Sequence, residues 1–153
     1  MKGNPEVIET LAAALPLESH LNLQYRRDWR NLKFRGLKKL ARKVRGLGSD
    51  AHDWMKQVDD RLLFLGGDDA YEIPAITDQP TVTAMFENEL ALEMAKLAPY
   101  EANIQICMKA FDDGSRNLFE HLVKWTQKHV AWLETQLSLI KYLGESEYLA
   151  EKL

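Results

Sequence analysis

Apolar residues recur at steps of three and four through most of the chain, in four long runs. The first carries Ile8, Leu11, Leu15, Glu18, Asn22, Tyr25, Trp29 and Leu32; the second Leu37, Leu40, Val44, Leu47, Ala51, Trp54 and Val58. The third carries Phe86, Leu90, Glu93, Leu97, Tyr100, Ile104 and Cys107; the fourth Leu118, Leu122, Trp125, His129, Leu133, Leu137 and Ile140. Such stripes predict amphipathic helices that bury one face. Asn4-Pro5 reads as an N-cap followed by Pro at the first helical position. Gly36 divides the first two runs, so they should form an antiparallel hairpin. Asp112-Asp113-Gly114 divides the last two. The predicted elements are helices over about 4–35, 37–65, 82–111, 114–143 and 145–151. Residues 66–80, "GGDDAYEIPAITDQP", have no periodicity and are long enough to cross a bundle from end to end.

Two features work against smooth helices. Pro16 removes a backbone donor inside the first run, which costs ~3 kcal/mol or more and predicts a kink or a fresh helix start. Gly46 and Gly48 each cost roughly 1 kcal/mol against Ala. They are either tolerated defects or places where another helix or a flat ligand comes close.

The 153 residues suit one domain with a sizeable core. Hydrophobic residues make up 46% and charged residues 28%, with a net charge of −3. That balance gives no general case for a nucleic-acid or membrane partner. The single Cys107 excludes an internal disulfide framework and fits a reducing compartment. No apolar run is long enough for a bilayer, and the opening residues are too polar for a secretory signal, so a cytoplasmic location is expected.

Glu18, Glu93 and His129 stand out because they fall on the apolar stripes of three different helices. A lone buried carboxylate is costly unless paired or bound to a metal. The three could hold a cation, or they could satisfy one another as a buried ion pair such as Glu93 with His129.

Several strings, in order and at nearly constant spacing, resemble the bacterioferritin family from end to end. They are the opening "MKGNPEVIETL", "RLLFLGG" at the end of the second helix, "LALE" at 90–93, "HVAWLETQLSLI" at 129–140 and the closing "YLAEKL". The resemblance implies an all-α fold: a ferritin-like four-helix bundle with a long crossover between the second and third helices and a short fifth helix. It further implies assembly into a hollow iron-storage cage of twenty-four subunits. Ferritin-like di-iron centres take one Glu from each of two helices and a Glu-x-x-His from each of the other two. By resemblance, Glu18 and Glu93 match the single carboxylates, and Tyr25 matches a tyrosine beside the centre. The first Glu-x-x-His should occupy 51–54, where the chain reads "AHDW". The second should occupy 126–129, where it reads "TQKH". Ala51 and Thr126 thus replace the two bridging carboxylates, Trp54 replaces one His, and only His129 remains. Trp54 is expected to fill the vacated space, its N–H donating to Glu18. A normal di-iron centre is not expected. Glu93 and His129, with or without Glu18, could still hold a single ion as a residual site, since N/O ligands suit zinc or iron.

Bacterioferritins hold haem b between two subunits through one methionine from each, and that position falls on His52. Histidine is a good axial ligand. Arg26 and Arg45 would then pair with the propionates, unless His52 is simply a hydrated interface residue. Residues 25–45, "YRRDWRNLKFRGLKKLARKVR", hold half of the chain's 20 Lys and Arg with Asp28 the only acid. The stretch reads as a solvated helix end, or as a docking surface for acidic neighbours such as the 66–80 loop. Nucleic acid is not an expected partner, because Tyr25 and Trp29 fall on the core stripe. Three functions follow. The first is a non-enzymatic cage subunit, homo-oligomeric or assembled with a catalytically intact bacterioferritin sister. The second is a haem-bearing redox subunit that uses His52 for electron transfer to the iron core. The third is a mononuclear-metal protein that oxidises iron slowly.

Overall fold

The computed structural model describes residues 2–153. It contains α1 (Pro5–Phe34), α2 (Lys38–Phe64), α3 (Val82–Lys109), α4 (Asp113–Leu143) and α5 (Glu145–Ala150). Helix α1 starts where the Asn4 side chain accepts from the Glu6 and Val7 amides, with Pro5 directly behind it. Such a cap satisfies donors that have no partner inside the helix. Gly36, at φ 85°, supplies the left-handed residue that turns the chain into α2. Asp112 caps α4 through the Ser115 amide and also accepts from Arg61 at 2.8 Å, tying that turn to the end of α2.

Pro16 does not end one helix and start another, since α1 runs unbroken through it. Flanking burial carries the helix across the missing hydrogen bond: Leu11 and Leu15 pack on one side and Leu21 on the other. Helix α3 contains a second internal proline, Pro99. Gly48 marks a close approach, because a Cβ there would lie 3.0 Å from the Cβ of Tyr25. A Cβ on Gly46 would meet open space.

Helices α1 with α2, and α3 with α4, form the two closely packed hairpins of the bundle. The connection from α2 to α3 travels back along α1. Leu65 accepts from the Gly3 amide, Tyr71 donates to Ser19, and the Thr77 amide donates to Gln24. Arg27 pairs with Asp78 at 2.9 Å, and Arg35 donates to the Gln79 carbonyl. The basic stretch therefore docks on the acidic crossover within one chain. This route delivers α3 to the far end of α1, so α1 and α3 run antiparallel.

The core lies in two apolar blocks. One gathers Leu32, Leu40, Val44, Phe86, Leu133 and Tyr148 near the α1–α2 turn. The other gathers Leu11, Leu15, Val58, Leu62, Phe119 and Leu122 at the opposite end. A belt of buried polar side chains lies between them. No described helix is long and apolar enough to cross a membrane.

Candidate functional site

The belt is built from all four long helices. Glu18 comes from α1, Glu93 and Lys96 from α3, and His129 from α4, all nearly inaccessible to solvent. Trp54 of α2 closes the fourth side. Lys96 stands at the centre, and the sequence reading overlooked it. Its ammonium lies 3.0 Å from Glu18 Oε1 and 2.9 Å from Glu93 Oε1. It also lies 4.7 Å from the centre of the Trp54 ring, within cation–π range.

Each carboxylate has further partners. Tyr100 donates to Glu18 Oε1 at 2.7 Å, and Tyr25 donates to Glu93 Oε2 at 3.0 Å. His129 Nδ1 faces Glu93 Oε2 at 2.5 Å, and its Nε2 faces Asp50 Oδ2 at 3.0 Å. The Asp50 side chain is 46% exposed. It opens into a pocket shared with Lys39, Arg42 and Lys43. One polar chain thus runs from solvent through Asp50, His129, Glu93, Lys96 and Glu18 to Tyr100.

Electrostatics follow from this enclosure. Burial disfavours the Lys96 ammonium, yet the two facing carboxylates outweigh it and hold its pKa above the ordinary lysine value. Burial also raises Glu93, but Lys96 and His129 outweigh it, so its pKa is lowered. Glu18 stays raised, because burial exceeds the pull of Lys96 and Tyr100. Burial and then the neighbouring carboxylates push Tyr25 and Tyr100 well up, keeping both phenols neutral donors.

Trp54 occupies the space expected of it, but its partners differ from the expectation. It stacks beside His129, ring centres 4.7 Å apart, and lies against Lys96. Glu18 takes its hydrogen bonds from Lys96 and Tyr100 instead of the indole. Thr126 is buried, and its hydroxyl has no hydrogen-bond partner. Ala51 packs in the apolar block. Among the described residues, no group of three or more His, Cys, Asp or Glu side chains is placed to hold a metal ion. Glu18, Glu93 and His129 do converge, but they converge around an ammonium.

A second buried acidic pair lies one turn away. Glu89 is inaccessible, and no amide, hydroxyl or cation donates to either of its oxygens. It faces the Asp28 carboxyl across α1 and α3, and Gln24 donates to Asp28 Oδ1 at 2.9 Å. Burial, then the Asp28 carboxyl, pushes Glu89 well above the ordinary carboxylate range. The α3 stripe therefore differs from the one read in the sequence. Glu89 and Lys96 are fully buried, while Leu90 and Leu97 are only partly so.

On the solvent side of α1 and α2, one pocket is lined by His52, Arg26 and Arg45, together with Asn22, Gly48 and Ser49. Trp29, read as a core residue, is half-buried on the wall of this pocket.

Residues 8–143 match the family model described as a ferritin-like domain. Bacterioferritin of Streptomyces coelicolor is 32% identical over 98% of this chain and 90% of its own length. The chain belongs to the bacterioferritin family. Bacterioferritin of Brucella melitensis is 33% identical, covering 97% of this chain and 92% of that one. The solved structure of Mycobacterium tuberculosis bacterioferritin, BfrA, superposes with a TM-score of 0.96 at 30% identity, covering 100% of this chain and 97% of that one. This family member thus keeps the backbone of a bacterioferritin while placing Lys96 between Glu18 and Glu93.

Proposed function

We propose that this bacterioferritin-like iron-storage subunit has no oxidation centre of its own. It contributes shell to an oligomeric cage, with itself or with a catalytically intact sister that oxidises Fe(II). The observation that carries this reading is the Lys96 ammonium, 3.0 and 2.9 Å from the two carboxylates that a di-iron centre would need. The residues present do not fit such a centre. Ala51, Trp54 and Thr126 provide neither carboxylate nor imidazole, and the Trp54 ring fills the space beside His129. The remaining donors do not suit a single divalent ion either. A second positive charge beside Lys96 would meet direct repulsion in a poorly screened interior. The pocket at Asp50 is flanked by Lys39, Arg42 and Lys43, which disfavours cation entry.

The test is aerobic addition of Fe(II) to the metal-stripped protein, following oxidation and oxygen consumption. Slow oxidation with no saturating phase is expected. A fast phase that saturates near two Fe(II) per subunit, the capacity of a di-iron centre, would overturn the reading.

A haem-bearing subunit is the second reading, favoured by the convergence of His52, Arg26 and Arg45 on one pocket. Haem does not fit this lining well. Ligand sites are mostly apolar, and here every side chain lining the pocket except that of Trp29 is polar or charged. A Soret band after haemin addition that is lost in His52→Ala would establish that reading.

A further inference from the structure

One side chain joins the Asp28–Glu89 pair to the crossover. Both acids are inaccessible to solvent, and among the described residues no amide, hydroxyl or cation reaches Asp28 Oδ2 or either oxygen of Glu89. Two carboxylates that face each other without a counterion repel strongly in a poorly screened interior, so the pair is stable only while it keeps a proton between its oxygens. Gln24 links this pair to the chain above. Its amide nitrogen donates to Asp28 Oδ1 at 2.9 Å and to the Thr77 carbonyl at 2.8 Å, and its carbonyl oxygen accepts from the Thr77 amide at 3.1 Å. The neighbouring ties lie at the surface: Arg27 and Asn31 hold Asp78, and Arg35 holds the Gln79 carbonyl. Exposed contacts of that kind contribute little. The pair sits between α1 and α3, whereas the His52 pocket sits between α1 and α2.

We propose that one proton shared between the Asp28 and Glu89 carboxyls fastens the crossover to α1, and that its loss releases residues 76–79 from the helix. Glu89 is held within α3, on the same buried face as Phe86 and Glu93. Asp28 has the shorter way to water, past Gln24 and the Thr77 backbone. The charged and titratable groups around the pair are Tyr25 and Arg27 of α1, Glu93 of α3 and Asp78 of the crossover. Arg27 is the cation among them, and Asp78 already engages it at 2.9 Å. When the proton goes, Asp28 turns from Glu89, repels Asp78 and competes with it for Arg27, so the surface tie weakens with the buried one. Burial raises the pKa of both acids, and the Asp28 carboxyl raises Glu89 further. In the released state water reaches both, and they ionise in the ordinary carboxylate range. Release therefore gives up one proton. Its equilibrium constant rises up to about tenfold per pH unit above that range, and levels off once the closed pair has lost the proton itself. The pair is separate from the Lys96 belt, so this inference does not rest on the oxidation reading.

The experiment is hydrogen exchange on the intact purified protein, read by mass spectrometry at the Thr77 amide from about pH 6 to about pH 9. Each rate is divided by the intrinsic exchange rate at that pH, which leaves the protection. Thr77 protection should fall as pH rises, by up to about tenfold per unit, while amides in the middle of α1 and α3 keep theirs. Glu89→Gln and Glu89→Leu each remove the shared proton, and each should flatten the profile. Asp78→Asn removes the surface tie alone and should lower protection by one factor at every pH, with the slope kept. Each variant is first shown by thermal unfolding to be folded. A flat profile in the parent, a slope that survives in both Glu89 variants, or a slope lost in Asp78→Asn would overturn the proposal. So would an equal loss of protection along α1 and α3, because the whole bundle would then be opening.

Discussion

Lys96 and Glu89 show how much a single buried charge decides in this protein. Removing one partner of a buried ion pair leaves the other uncompensated and typically costs ~3–5 kcal/mol. Lys96→Met should lose stability of that order in denaturant unfolding at neutral pH. Combining it with Glu18→Gln should recover part of the loss, because one of the two exposed costs disappears. Glu89 has no cation beside it, and its folded pKa lies above the unfolded value. Its contribution is therefore full below the ordinary carboxylate range and is lost as pH rises through the raised folded value. Glu89→Gln should make the protein more stable in alkaline than in acidic solution relative to the parent. Unfolding free energies at about pH 5 and about pH 9 check this, with the gain at the higher pH. Cys107, buried and pushed up to about 11, should label slowly with thiol reagents until the protein unfolds.

At the scale of helices, the two glycines of α2 make opposite predictions from the same substitution. Gly46→Ala adds a methyl into open space and should stabilise by roughly 1 kcal/mol through helix propensity. Gly48→Ala places a Cβ 3.0 Å from Tyr25 Cβ, so the α1–α2 spacing must give. It should gain nothing or lose stability, and paired thermal melts separate the two. The bundle was legible because long stripes of Leu, Val and Trp at steps of three and four admit few other folds. The centre was half legible. Glu18, Glu93, Tyr25 and His129 stand out as polar residues on apolar stripes, and they do converge. Lys96 did not stand out, because lysine on a helix usually faces water and Leu97 next to it offers a more conventional stripe. The signal was its spacing: Phe86, Glu89, Glu93, Lys96 and Tyr100 step by three and four on one face. Asp28 was hidden differently, as the only acid in a basic stretch that reads as solvated. Trp29 misled in the other direction, since an indole at a stripe position reads as core while its ring here supports guanidiniums.

The whole molecule should not need a bound ion to hold its fold. A ligand that binds only the folded state raises stability by about 2.7 kcal/mol at a hundredfold excess over its Kd. Adding a chelator, or Zn(II), should therefore leave the thermal midpoint unchanged, as read by differential scanning calorimetry. A chelator-dependent drop would show that some cation is part of the native state. The belt also constrains which sequences lie within reach of this one. To hold a metal centre, the chain must lose Lys96 and acquire several ligands, and the loss of Lys96 leaves Glu18 and Glu93 bare. To become wholly apolar, it must lose both carboxylates and the lysine, and any one loss strands the others. Both routes descend before they climb. The ammonium at the heart of the bundle thus acts as a latch: any single change at Glu18, Glu93 or Lys96 should pass through a less stable protein.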